Sequence, residues 1–290
     1  MNSVRIKKRH RLRRIWIKAK KRYRLYRIKN YALTVFWSCT YSFFFLTKER
    51  KLIWAEIEEN LSPIQYSRDL IRVGSCNDGG YVIPDDSFSV SALFSPGVGA
   101  NADFELEFAK RGITCFLADY SVEEPPVMHK NFHFEKKYIG STSTKTTITL
   151  QEWLSSTNIS GDNLFLSMDI EGSEFEVLMS TSANILKLFK YITIEIHDLN
   201  KVKSLSHLRD ISTLLRALTE NHKVIHIHPN NFSPFFFIRG TKLASVIELT
   251  LLRKDSLGES QPARQSIFLK NLDSPNDPHS KDRQIYFRKR

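Results

Sequence analysis

The sequence predicts an α/β fold, a mostly parallel sheet with helices on both faces, on three observations. Apolar runs such as Leu164–Met168 alternate with stretches whose apolar residues fall at helical spacing, such as Phe175, Leu178 and Met179. Several strand-like runs end in an acid or a histidine: Asp119, Asp169, and Glu195 with His197. A glycine turn, Gly97-Val98-Gly99, joins an apolar run to a helical one. In an open α/β sheet such strand ends form the edge where ligands bind.

The chain has 290 residues, enough for one full-sized domain with extensions. A hydrophobic content of 41% supports a real core. Cys39, Cys76 and Cys115 are scattered, odd in number and without metal-ligand spacing, which points to a reducing compartment and no disulfide framework. The net charge of +12 belongs to an arm: residues 1–29 hold 14 Lys and Arg and no acid. Subtracting 14 from 43 basic residues leaves 29 against 31 acidic ones, so the remainder is nearly neutral at −2. A nucleic-acid-binding fold would carry positive charge on the fold itself.

In residues 4–29, Leu12, Ile15, Trp16, Ala19, Tyr23 and Tyr26 recur at three- and four-residue spacing among Lys and Arg. That is a basic amphipathic helix suited to an anionic membrane surface. Tyr31–Leu46 follows, uncharged and aromatic, but short of the roughly 20 residues that span a bilayer. The basic stretch is long for a signal sequence, and no small-residue cleavage site is evident. The expectation for residues 1–46 is an interfacial anchor with the domain cytoplasmic. A helix packed on the domain or a partner chain is the alternative.

Residues 47–65 read as a charged connecting helix, residues 66–255 as one compact domain, and residues 256–290 as a polar, Pro-containing, loosely ordered tail. Within the domain, Gly79-Gly80 after Asp78 sets a tight turn before a short strand at Tyr81–Ile83, either an ordinary hairpin or a ligand-contacting loop. Strands are expected at Val90–Ser95, Ile113–Ala118, Phe132–Ile139, Leu164–Met168, Tyr191–Ile196, Lys223–Ile227 and Ser245–Leu252. Helices are expected at Ala102–Lys110, from Ile148, within Glu174–Leu188, and at Leu205–Leu218. Ser173 and Glu176 have capping-box spacing.

The turn Gly97-Val98-Gly99-Ala100-Asn101 lacks the third glycine of a dinucleotide fingerprint, since position 102 is Ala. It suits an adenosine without a pyrophosphate. Asp119 follows about 20 residues later, where an acid accepts hydrogen bonds from ribose hydroxyls. At the other half of the edge stand Asp169 and Glu171, then Glu195 and His197, then His226 and His228 with Asn230 and Asn231. Residues two apart in a strand share a face, so Glu195 pairs with His197 and His226 with His228. Two chemistries follow. His197 is a candidate general base toward a hydroxyl, beside Asp169 and Glu195. Asp169, Glu195 and His197 are also a donor set for Mg2+ or Mn2+. Asp78, His226, His228 and Asn231 are candidate substrate contacts. The plainer alternative is that the histidines only fix loops.

The ordered series SPGVGANADFE, FLADYS, LSMDIEGSEFEVL, ITIEIHDL, VIHIHPNN and SVIELTLLRK resembles the FkbM-type family of S-adenosylmethionine-dependent methyltransferases. The resemblance covers about residues 70–253, and DIEGSE is its most specific block. It implies a class I, Rossmann-like, seven-stranded sheet whose last strand is antiparallel. It also implies that Gly97, Gly99 and Asp119, with Asn101 and Asp169 beside them, hold S-adenosylmethionine. The expected activity is O-methylation of a saccharide or glycolipid hydroxyl at a membrane surface. A nucleic-acid methyltransferase using the basic arm and a non-catalytic scaffold are the alternatives. Pro125-Pro126 is followed by Val127, so the Asn/Asp-Pro-Pro-aromatic motif used for exocyclic amines is missing.

Overall fold

The computed structural model describes residues 47–258, 261–262 and 269–288. The expectations for residues 1–46 lie outside the described residues. No helix among the described residues is long and apolar enough to cross a membrane.

The first described helix, α1 (Lys48–Leu61), starts where the Thr47 hydroxyl accepts the Arg50 N–H, and it buries Trp54, Ile57 and Leu61 on one face. Strand β1 (Ile64–Gln65) precedes a hairpin, β2 (Leu70–Gly74) with β3 (Gly80–Pro84). Then follow β4 (Ala92–Pro96), α2 (Asp103–Lys110), β5 (Thr114–Ala118), β6 (Phe132–Glu135), β7 (Tyr138–Gly140), β8 (Thr147–Thr149) and α3 (Leu150–Ser156). The second half runs β9 (Leu164–Met168), α4 (Glu174–Ser180), α5 (Ala183–Leu186), β10 (Phe189–Ile196) and α6 (Leu205–Asn221). It ends with β11 (His222–Pro229), a hairpin of β12 (Phe235–Ile238) and β13 (Thr241–Ala244), β14 (Ile247–Arg253) and β15 (Gln261–Pro262).

One seven-stranded mixed sheet dominates, in the order β11-β14-β10-β9-β4-β5-β6. Strand β14 runs antiparallel to β10 and β11, and the other pairs are parallel. From β4 the chain builds outward through β5 and β6, then returns to lay β9 on the other side of β4. The strand order therefore reverses between β4 and β9, and a crevice opens at their carboxyl ends.

Alternation along the strands separates two cores. In β9, Leu164, Leu166 and Met168 join the larger core under α1, α3, α4 and α6, while Phe165 faces the second core with Phe104 and Phe108 of α2. In β10, Ile192, Ile194 and Ile196 face the larger core. The intervening Thr193 and Glu195 lie on the other face, level with Thr250 and Glu248 of β14. The β2–β3 hairpin covers that face, with the Thr250 hydroxyl donating to Val82 O at 2.6 Å.

Four expectations are corrected. The connecting helix is part of the domain: α1 packs on α6, with Glu56 accepting from Ser212 and Arg216 at 2.8 and 2.9 Å. The tail is not loose over residues 269–288: it docks on the domain, burying Ile285 in the larger core. The strand expected over Phe132–Ile139 divides into β6 and β7. The helix within Glu174–Leu188 breaks after Ser180, because Ser180 and Thr181 hydroxyls turn back to Val177 O and Ser182 caps a new helix.

Candidate active site

The crevice at the strand reversal is shaped by a glycine that has no room for a side chain. A Cβ on Gly97, at φ +89°, would lie 1.7 Å from the Asp169 carbonyl oxygen. Gly97 thus brings the end of β4 against the end of β9, with Asp169 N–H donating to Pro96 O at 3.3 Å. Gly99 differs: at φ +51° it meets nothing closer than Gly97 O at 3.9 Å, so its backbone faces open space. Its N–H donates to Asp119 Oδ2 at 2.8 Å. Asp119 Oδ1 accepts from the Ser121 N–H and hydroxyl, both at 2.7 Å. A carboxylate accepts about four hydrogen bonds, so the largely buried Asp119 keeps one acceptor position for a ligand. Asn101 is more occupied than expected: its amide donates to Asp78 O at 3.2 Å and its Oδ1 accepts the Asp103 N–H at 2.9 Å. It ties the β3 entry turn to the start of α2.

The DIEGSE block folds around a residue not singled out from sequence. Glu174 is fully buried, and its Oε1 accepts the N–H groups of Ile170 and Gly172 at 3.2 and 3.1 Å. The same oxygen lies 3.2 Å from His197 Nδ1. The expected capping box does not form, as Ser173 makes no side-chain cap and the Ser141 hydroxyl donates to Glu176. Glu171, at φ 55°, projects into solvent with its Oε2 3.5 Å from His197 Nε2.

Asp169, Glu195 and His197 converge as expected, offering one ligand atom each within 4.8 Å of one another. Asp169 Oδ1 is buried without a hydrogen-bond partner. Burial, then the nearby Glu195 charge, pushes the Asp169 carboxyl up to about 8. Burial and Glu248 likewise raise Glu195, against hydrogen bonds from His197 and Asn230. Burial pulls His197 down, but Glu174 and Glu195 outweigh it and raise it to about 11. Glu174 and Glu195 therefore favour the protonated, donating form of His197 over the base form expected from sequence. Asp169 accepts a proton only in its ionised form, which becomes the major one above about pH 8.

These groups line a pocket of about 290 Å3 with Asp78, Glu171, Asn230, Phe232, Ser233 and Val246. Asn230 donates to Glu195 Oε2 at 3.2 Å, and its Oδ1 accepts the Phe232 N–H at 3.0 Å. That turn leaves the Phe232 ring 61% exposed at the rim. Phe232 carries no motif signal in the sequence.

His226, His228 and Asn231 do not line the pocket. His226 Nε2 lies 2.9 Å from Asp273 Oδ1. His228 sits between Glu248 and Asp282, at 3.3 and 3.2 Å. Burial lowers its pKa, yet these carboxylates raise it to about 10. Asn231 donates to Asp277 O and Ser280 O. All three are held by the C-terminal segment, whose polar, Pro-containing composition carries no signal for docking there. Glu248 was legible only as a lone acid in a β-branched run.

A seven-stranded mixed sheet with helices, a glycine turn after β4 and acids at the neighbouring strand ends is consistent with a methyltransferase fold. Residues 75–221 match the family model described as the methyltransferase FkbM domain, and the chain belongs to that family. A comparison with curated proteins gave no match.

Proposed function

We propose that this methyltransferase uses S-adenosylmethionine to methylate a hydroxyl of a saccharide or glycolipid at a membrane surface. The observation that carries the reading is one pocket holding four carboxylates, a protonated His197 and an exposed aromatic ring, beside the glycine turn. Carboxylates accept hydrogen bonds from hydroxyls, and a ring such as Phe232 packs against the apolar face of a sugar. The same carboxylates repel a phosphate-rich acceptor, which disfavours the nucleic-acid reading.

The residues present fit the donor. The open space at Gly99 is a cradle that a Cβ would enter, Asp119 retains one acceptor position, and Tyr120 beside it is 40% exposed. S-adenosylmethionine supplies a methyl group on a positively charged sulfonium. The turn 97–101 and Asp119 hold the donor side, while Asp78 and Glu195 orient the acceptor hydroxyl. Asp169, in its ionised form, takes the proton that the hydroxyl releases, its Oδ1 being the buried atom without a partner. His197, fixed by Glu174, holds Glu195 in place. Positioning two reactants supplies a large part of the rate.

Asp169, Glu195 and His197 also define a second reading, in which Mg2+ or Mn2+ orients the hydroxyl. Loss of transfer on chelation and recovery with Mn2+ supports that form; unchanged transfer retires it.

The test is calorimetric binding of S-adenosylmethionine, followed by incubation with labelled donor and separate glycolipid, protein and nucleic-acid fractions. The label is expected in the glycolipid fraction. No donor binding, or label confined to another fraction, overturns the reading. For residues 1–46, the intact chain is expected to float with anionic liposomes and the shortened chain to remain below; equal flotation removes the membrane assignment.

A further inference from the structure

We infer that residues 269–288 form a strap that completes the acceptor side of the pocket, and that Asn276 is its positioning residue. The inference rests on reading that pocket as the acceptor site. The strap lies beyond the family-matching residues 75–221.

The strap is fastened along its length. Leu272 O accepts from Arg72 Nη1 at 3.4 Å, and the Ser274 hydroxyl donates to Cys76 O. Asp273 meets His226, and Asp282 meets His228. Asp277 N–H donates to Asn231 Oδ1 at 2.7 Å, answering the bond from Asn231 to Asp277 O. Further on, Tyr286 and Lys242 exchange backbone hydrogen bonds at 2.9 and 3.0 Å. Three of the four residues expected to touch substrate, His226, His228 and Asn231, serve as fastening points.

Asn276 is where the strap meets the pocket. It is 3% exposed, and its Nδ2 donates to Asp78 Oδ1 at 3.0 Å and to Glu248 Oε1 at 2.6 Å. Asp78, Glu195 and Glu248 offer carboxylate oxygens within 4.8 Å of one another. Such crowding is repulsive unless donors separate the charges. A neutral amide with two N–H groups satisfies two carboxylates at once and adds no charge. It bridges Asp78 and Glu248, while Glu195 joins this acidic group to the one around Asp169. Asp78 is otherwise exposed on a glycine turn, free to swing toward water. Asn276 holds it against the pocket it lines.

The test uses the full chain, Asn276→Leu to remove the donor at similar volume, and Asn276→Gln to restore an amide. In methyl transfer to the glycolipid fraction, Asn276→Leu is expected to raise the half-maximal acceptor concentration about tenfold. The maximal rate changes less than about threefold, affinity for S-adenosylmethionine is unchanged, and Asn276→Gln recovers part of the loss. An unchanged half-maximal concentration, or equal losses of rate and donor affinity, overturns the inference. If Asn276→Leu does not fold, Asn276→Ser carries the comparison. If the unaltered chain transfers no methyl group, the functional reading fails, and hydrogen exchange then decides the strap. Amides of residues 76–80 exchange about tenfold faster in Asn276→Leu if Asn276 positions Asp78. Unchanged exchange refutes that role.

Discussion

Replacing Glu174 should separate the architecture of the DIEGSE turn from its charge. Glu174→Ala removes one buried oxygen that accepts two backbone N–H groups and faces His197 Nδ1 at 3.2 Å. Each neutral donor that must find water instead costs about 1 kcal/mol, and the charge-assisted contact about 1.5–3 kcal/mol. His197 keeps Glu195 at 3.1 Å, so the full penalty of an orphaned buried charge does not apply. The sum is roughly 3–5 kcal/mol, a lowering of Tm by roughly 6–20 °C for a domain of this size. Glu174→Gln retains the accepting oxygen and places its amide nitrogen where Oε2 has no hydrogen-bond partner. Its loss should be smaller, about 1–2 kcal/mol. Urea unfolding of both variants measures the difference. A loss below about 1 kcal/mol for Glu174→Ala refutes the role of Glu174 as the turn's organiser. Equal losses for Ala and Gln would mean that charge, not the acceptor geometry, holds the turn.

Three more outcomes are expected. Gly97→Ala should leave little folded protein, a loss above about 4 kcal/mol, because its Cβ meets the Asp169 carbonyl at 1.7 Å. Gly99→Ala should cost only about 1–2 kcal/mol of left-handed strain, and similar losses at both positions in thermal unfolding would refute the packing argument. Asp169→Asn should lower turnover about 10²–10⁴-fold with no loss of Tm, since burial already disfavours the charged carboxyl; turnover within threefold removes Asp169 as proton acceptor. His222 is buried, with its Nε2 2.7 Å from Phe189 O, and burial lowers its pKa below that of the unfolded chain. The unfolded state then binds more protons as pH falls below about 6.5, so stability from this site is present above that pH and lost below it. The stability advantage of the unaltered chain over His222→Gln should shrink by up to about 1.4 kcal/mol per pH unit there, and a constant advantage between pH 7 and 5 would refute it.

The sequence by itself determined the α/β alternation, the strand Leu164–Met168 to the residue, and the convergence of Asp169, Glu195 and His197 on one sheet edge. The alternation and the strand follow from local periodicity, and the convergence from the two-residue repeat once β9 and β10 pair in parallel. The sequence did not reveal the work of Glu174, because a glutamate at the start of a helix looks like an ordinary dipole-favoured acid. Only the tertiary structure set the upward shift of His197, since that depends on two carboxylates from different elements closing around one ring. The strap was likewise out of reach. Its Pro-containing, polar composition reads as a tail, and it is ordered through hydrogen bonds to residues 28–200 positions away in the chain. The tertiary structure also gave Gly97 its reason. The glycine that seemed to make room for a ligand makes room for the backbone of Asp169, while Gly99 is the one left open.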